Sequence, residues 1–206
     1  MHPNQIYRQA TRDANLAFAR DRGFGLLTVN GDNGPLAAHV PFVLSPGGDT
    51  LDIHLVRSNP VARALTAPMP ALLAVTGADG YVSPDWYGME DQVPTWNYVA
   101  VHLRGRLELF PAEALRSQID RLSEVFESRL APKKPWRTAK MTEEVLARMM
   151  RAIVPLRLTI DSVDGTWKLS QNKPEPARLG AAEGVHAGTP GQEVAALAAL
   201  MRSPPW

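Results

Sequence analysis

Tyr98-Val99-Ala100-Val101-His102-Leu103-Arg104-Gly105-Arg106-Leu107-Glu108-Leu109 is the stretch that decides the fold. Val99, Val101, Leu103, Leu107 and Leu109 alternate with Tyr98, Ala100, His102, Arg104, Arg106 and Glu108. Successive side chains of a strand point to opposite faces, so this period of two predicts one core face and one polar face. Upstream, Leu51, Ile53 and Leu55 alternate with Asp52 and His54 in the same way, and Ala71 to Thr76 gives another short strand. Leu26 to Val29 and Leu36 to Val43 flank Asn30-Gly31-Asp32-Asn33-Gly34, residues that tolerate positive φ, which predicts a β-hairpin. Ahead of it, Thr11 is an N-cap candidate for a helix from Arg12 to Arg22 that stops at Gly23.

Downstream of the deciding strand the period changes. Leu115, Ile119, Leu122 and Phe126 form one stripe of a helix over about residues 112–130. A second helical pattern covers about 142–153, and Leu156, Leu158 and Ile160 alternate as a last strand. About six strands without regular strand–helix alternation predict a mainly β, α+β fold: an antiparallel sheet or small barrel with inserted helices, and not a doubly wound sheet. Residues 1–175 read as the domain. Residues 176–206, rich in Pro, Gly and Ala with a short helical stretch near Val194 to Met201, read as a peripheral tail.

Composition narrows the function classes. Length fits one domain, and 22 Lys and Arg against 21 Asp and Glu leave a net charge of +1, too small a field to hold a polyanion. With zero cysteines, disulfides, Cys-ligated metals and thiol nucleophiles are excluded. There is no apolar run near the ~20 residues that span a bilayer and no signal-peptide pattern, so a cytoplasmic protein without membrane contact is expected. Phosphate-loop, Rossmann, nucleophile-elbow and paired-His zinc motifs are absent, and no helix-turn-helix is evident. His39, His54 and His102 fall on predicted strands with no carboxylate spacing to complete a facial triad, so no metal site is predicted.

Three segments carry unusual chemistry. In Arg57-Ser58-Asn59-Pro60, a strand runs into a helix start that Ser58 or Asn59 can cap, with Pro60 in the first turn. Free N–H groups beside Arg57 and Arg63 suit a phosphate monoester, while an ordinary capped helix with solvated arginines fits the same letters. Tyr81, Trp86, Tyr87, Trp96 and Tyr98 crowd one stretch with Ser83, Thr95 and Asn97. That combination suits a flat heteroaromatic ligand, or equally a loop pinned to the core by its tryptophans. Thr166-Trp167-Lys168-Leu169-Ser170-Gln171-Asn172-Lys173 adds two cations and a series of hydrogen-bonding side chains after the last strand.

Taken together, Tyr81-Val82-Ser83-Pro84-x-Trp86-Tyr87, Val93-Pro94-Thr95-Trp96-Asn97-Tyr98-x-Ala100-Val101-His102-x-x-Gly105, Arg57-x-Asn59-Pro60 and Lys168-Leu169-Ser170-Gln171-Asn172-Lys173 resemble the PaiB-type negative transcriptional regulators, an FMN-binding group. The resemblance covers about residues 1–180 and implies the antiparallel split β-barrel of pyridoxamine phosphate oxidase-like flavoproteins. It also implies a homodimer with FMN sites at the subunit interface. By that resemblance Arg57, Ser58 and Asn59 face the flavin phosphate, and Trp96, Asn97 and His102 lie near the ring. Lys168, Ser170, Gln171 and Asn172 reach the same pocket, with Lys168 favouring the anionic reduced ring. Where the family has a glycine and an acid, this chain has Pro155, Leu156 and Arg157, which predicts a rebuilt entry to the last strand; residues 181–206 match no family segment. The functional expectation is a flavin-sensing negative transcriptional regulator. Two alternatives stand beside it: a flavin-dependent oxidoreductase that does not bind DNA, and a haem-binding or haem-degrading split barrel with His39, His54 or His102 as ligand. Charge and motif content give DNA binding no support.

Overall fold

Alternation and capping place the elements where the residues dictate. In the computed structural model, which describes residues 1–206, α1 spans Arg12–Arg22, and the Thr11 hydroxyl accepts from the Ala14 N–H at 3.2 Å. The helix stops at Gly23, whose φ of +58° suits a residue without Cβ, and a Cβ there would also meet the Phe126 ring at 2.7 Å. Strands β1 (Phe24–Gly31) and β2 (Gly34–Pro41) form the expected hairpin, in register from Phe24↔Pro41 to Gly31↔Gly34. Only Gly34 of the hairpin takes a positive φ. Two short elements follow, β3 (Val43–Leu44) and β4 (Thr50–Val56), and then the single-turn helix α2 (Pro60–Ala64).

The sheet is longer than the alternation predicted. Strand β5 runs Met69–Val82, β6 runs Thr95–Leu109 and β7 runs Ile153–Lys168. With the two-residue β8 (Gly191–Gln192) on its flank, the sheet has eight strands in the order β2-β1-β5-β6-β7-β4-β3, and β8 pairs with β5. The pairings β1–β2, β1–β5, β3–β4, β4–β7 and β5–β8 are antiparallel. At the entry to β7, where Pro155, Leu156 and Arg157 stand, β4–β7 pairing runs unbroken from Val56↔Ile153 to Thr50↔Thr159, with Pro155 opposite His54. Gly105 of β6 has a physical reason, since a Cβ there would fall 1.8 Å from the Thr159 carbonyl oxygen.

The chain divides into two compact units, and the long strands contribute to both. One comprises Ala19–Ala74 and Leu103–Ser162. Its core holds Leu27, Phe42, Leu51, Leu73, Leu103, Leu107, Leu156 and Leu158, all fully buried. It also carries helices α3 (Leu115–Glu127) and α4 (Glu143–Arg151), close to the predicted spans. The other unit comprises Met1–Phe18, Val75–His102 and Val163–Trp206.

This second unit corrects the reading of the C-terminal segment. Residues 176–206 are not a peripheral tail: α5 (Glu175–Ala187) and α6 (Val194–Arg202) bury Ala181, Ala182, Val185, Leu197, Ala198 and Met201. These residues share one core with Val82, Tyr87, Val99, Trp167 and Leu169. Small side chains are what allow it: Gly184 lies under the Trp86 ring, where a Cβ would meet Cδ2 at 2.2 Å. An Ala- and Gly-rich composition therefore encodes close helix packing here. No helix is long and apolar enough to cross a membrane.

Candidate functional site

In β6 the pleat decides which side chains meet. Asn97, Val99 and Val101 are buried on the inner face, while Trp96, Tyr98, Ala100 and His102 lie on the other face. The structure therefore does not bring Trp96 and His102 together with Asn97. Trp96 is exposed, with its ring edge-on to Tyr81 at a centroid distance of 6.4 Å.

Asn97 instead meets the segment after β7. Its Nδ2 donates to Ser170 Oγ at 2.8 Å and contacts Met201 Sδ at 3.5 Å, and Ser170 Oγ also shares a hydrogen bond with Tyr87 Oη at 2.9 Å. All three polar residues are buried. Ser170 holds this place with a φ of +61°, a left-handed conformation uncommon for a residue with Cβ. Such strain persists only where surrounding contacts over-determine the position, and it concentrates at functional sites.

Around this network lies a small cavity of about 150 Å³, lined by Asn97, Ser170, Lys168, Lys173, Tyr7 and Tyr87 together with Val93, Thr95 and Asn172. Lys168 Nζ donates to Thr95 Oγ1, and Lys173 Nζ donates to Gln92 Oε1. Lys173 also sits 5.2 Å from the centre of the Tyr87 ring and Lys168 5.9 Å from that of Tyr7. Both ammonium groups thus rest on neutral oxygens and ring faces, and no carboxylate lines the cavity. Burial pushes the Lys168 ammonium below its ordinary pKa. Burial also raises both phenols; the nearby Tyr87 adds to the rise at Tyr7, and the Ser170 hydrogen bond opposes it at Tyr87.

The remaining predicted residues have other placements. Gln171 is spent on the backbone: its amide donates to Ile6 O at 3.0 Å and Trp167 O at 2.6 Å, and its Oε1 accepts from Leu169 N–H at 2.8 Å. It anchors the N-terminal segment and does not line the cavity. Arg57, Ser58 and Asn59 belong to the other unit. There Asn59, not Ser58, caps α2, accepting from Val61 N–H at 2.9 Å, and Arg57 Nε donates to Arg151 O at 2.7 Å. The Arg57 terminal nitrogens and the Ser58 side chain are on the surface, but α2 has only five residues, so its end supplies little dipole. The sequence reading missed Tyr7, Thr95, Tyr87 and Lys173 as lining groups. The last three stand inside the quoted strings, whereas nothing near Tyr7 in the sequence marks it.

The donor set fits the polar edge of a flavin. That edge presents acceptor, N–H donor and acceptor in turn. Asn97 Oδ1 is a buried acceptor without a hydrogen-bond donor, and Lys168, Lys173 and the two tyrosines stand around it as donors. At about 150 Å³ the cavity takes such an edge and not a whole nucleotide, since ligand pockets start near ~300 Å³.

Comparison with known proteins leads to the same ligand. The family described as "Putative FMN-binding domain" matches residues 1–162. The chain is 28% identical over 160 residues to the protease synthase and sporulation protein PAI 2 of Bacillus subtilis, covering 77% of this chain and 76% of that one. In fold it is similar to the FAD and heme binding protein of Mycobacterium smegmatis, with TM-score 0.58, 23% identity and 79% and 73% of the two chains covered. The flavocytochrome Anf3 of Azotobacter vinelandii gives TM-score 0.57 at 17% identity, over 81% of this chain and 72% of that one. The fold is the antiparallel split barrel of these neighbours. With a match that spans most of its length, the chain belongs to the FMN-binding family, and FMN is its cofactor.

Proposed function

We propose that this chain is an FMN-dependent redox sensor of the PaiB type, acting as a negative transcriptional regulator. The observation that carries the reading is the buried, donor-less Asn97 Oδ1 in a cavity whose only charges are Lys168 and Lys173. When bound, FMN supplies one- and two-electron redox chemistry. Asn97 orients the ring edge through its free acceptor, held in place by Ser170 and Tyr87. Lys168 and Lys173 place positive charge where electron uptake adds negative charge, and partial burial strengthens that attraction. Two copies pair so that each cofactor site is completed at their interface. The regulatory part of the reading rests on the similarity to the sporulation protein of B. subtilis.

A second reading, a flavin-dependent oxidoreductase without DNA binding, is favoured by the net charge of +1, which offers no field for a duplex. The visible spectrum of the purified protein, followed by heat release and identification of the chromophore, tests the flavin step. FMN in stoichiometric amount is expected; a colourless protein that ignores added FMN overturns it. A mobility shift on promoter DNA at moderate salt then separates the two readings, since only the regulator retards the fragment.

A further inference from the structure

An apolar cavity in the other unit contains none of the flavin-site candidates. It measures about 460 Å³ and sits between α3 and the strands β3, β4 and β7. That volume lies within the ~300 to ~1,000 Å³ usual for small-molecule pockets. Val43, Leu44, Pro46 and Val125 make its apolar wall.

At one side the wall gives way to charge. Asp52 of β4 accepts from Arg157 Nε at 2.7 Å and Nη2 at 3.1 Å, a bidentate fork, and Arg121 Nη2 of α3 reaches the same carboxylate. The Arg157 guanidinium also stacks on the Phe110 ring, 3.8 Å from its centre, so its geometry is fixed. Two guanidiniums share one carboxylate. Glu124, the other acid on the cavity, is paired with Arg137 at 3.5 Å. The cavity lining thus carries two guanidiniums, both on Asp52, and Arg121, half-exposed and bonded to it through one nitrogen, retains donors for a second oxyanion.

We propose that this cavity binds a small amphipathic carboxylate, with its chain against Val43, Leu44 and Val125 and its carboxylate on Arg121. A charged head that meets Arg121 beside an already neutralised Asp52 gains a charge-assisted bond without stripping a partner from Arg157. An apolar body of eight or so carbons matches the wall, and burial of each CH₂ favours binding by about 0.8 kcal/mol. Such a site gives the chain a metabolite input separate from its flavin.

Isothermal titration of the full chain, as purified, with octanoate and with 1-octanol tests this. The expected result is one octanoate per chain, bound at least tenfold more tightly than 1-octanol. Arg121→Met is expected to remove the preference while leaving 1-octanol binding. Val125→Trp, which fills the cavity, is expected to abolish both while leaving bound flavin unchanged. Equal affinity for acid and alcohol, octanoate binding that survives both substitutions, or no binding of either probe at millimolar concentration would overturn the proposal. Should Val125→Trp fail to fold, Arg121→Met decides alone, because that side chain is half-exposed and its loss leaves the Asp52–Arg157 fork intact.

Discussion

Asn97 and Ser170, 73 residues apart, are joined by a 2.8 Å hydrogen bond that Ser170 makes from a left-handed backbone conformation. A cost and a gain meet there. A residue with Cβ in that conformation gives up about 1–2 kcal/mol relative to glycine, and the hydroxyl satisfies buried groups on both Asn97 and Tyr87.

Two substitutions separate these terms. Ser170→Ala keeps the strain, leaves Tyr87 Oη without its partner and Asn97 Nδ2 with only the weak Met201 sulfur acceptor, so it should lower unfolding stability by about 1–3 kcal/mol. Ser170→Gly loses the same hydroxyl but relieves the backbone, and should cost about 1 kcal/mol less than the alanine variant. Urea denaturation at pH 7 measures both; an alanine variant at least as stable as the glycine variant would show that the left-handed backbone stores no strain.

Lys168→Met tests the electronic role. Removing a partly buried cation from the ring edge should lower the two-electron reduction potential of bound FMN, by about 30 mV for each 1.4 kcal/mol of lost interaction. Because burial depresses the Lys168 pKa, the wild-type potential should also approach that of the variant as pH rises, at a pH below the ordinary lysine value of 10.5. Spectroelectrochemistry with a reference dye reads both effects, and coincident potentials at neutral pH would show that Lys168 has no electronic role at the ring.

Much of the fold was legible in particular residues. The alternation from Tyr98 to Leu109 specifies β6 and its core face, because a strand half-buried on one side must write its pattern with period two. The stripe Leu115, Ile119, Leu122 and Phe126 specifies α3 for the same reason at period 3.6. The site was legible only in part. The same period of two already separates Asn97 from Trp96 and His102, yet a shared motif string gives no sign of which face each takes. The packing of 176–206 was not legible, since Ala and Gly carry little hydrophobic signal and their role is set by Trp86, a partner about a hundred residues away. Tyr7 reaches the cavity because Gln171 ties down the backbone of Ile6, a long-range bond with no local trace.

His54, half-buried on β4, should make stability depend on pH. Desolvation holds its pKa below the ordinary 6.5. The folded state therefore binds fewer protons than the unfolded chain, so stability is full above about pH 6.5 and declines as pH falls through the lowered folded value. Urea midpoints taken from about pH 7.5 down to about pH 5 should fall, and His54→Gln should flatten part of that slope. An unchanged slope in the variant would assign the acid sensitivity elsewhere.

Gly184→Ala puts the C-terminal packing to the test against helix propensity. Gly184 lies within α5, where Ala should stabilise an exposed position by about 1 kcal/mol. Its Cβ would instead fall 2.2 Å from Trp86 Cδ2, and Gly180→Ala would place a Cβ 2.7 Å from the Trp86 carbonyl oxygen. Overpacking of this kind costs about 1–3 kcal/mol, so both variants should be less stable than the parent despite the better helix former. Trp86 adjoins Tyr87, which bonds Ser170, so a displaced indole should also disturb the cavity and weaken flavin retention. Thermal melts and the FMN content of purified Gly184→Ala protein measure the two consequences. A variant with raised melting temperature and full flavin would mean that residues 176–206 bear on neither the core nor the site.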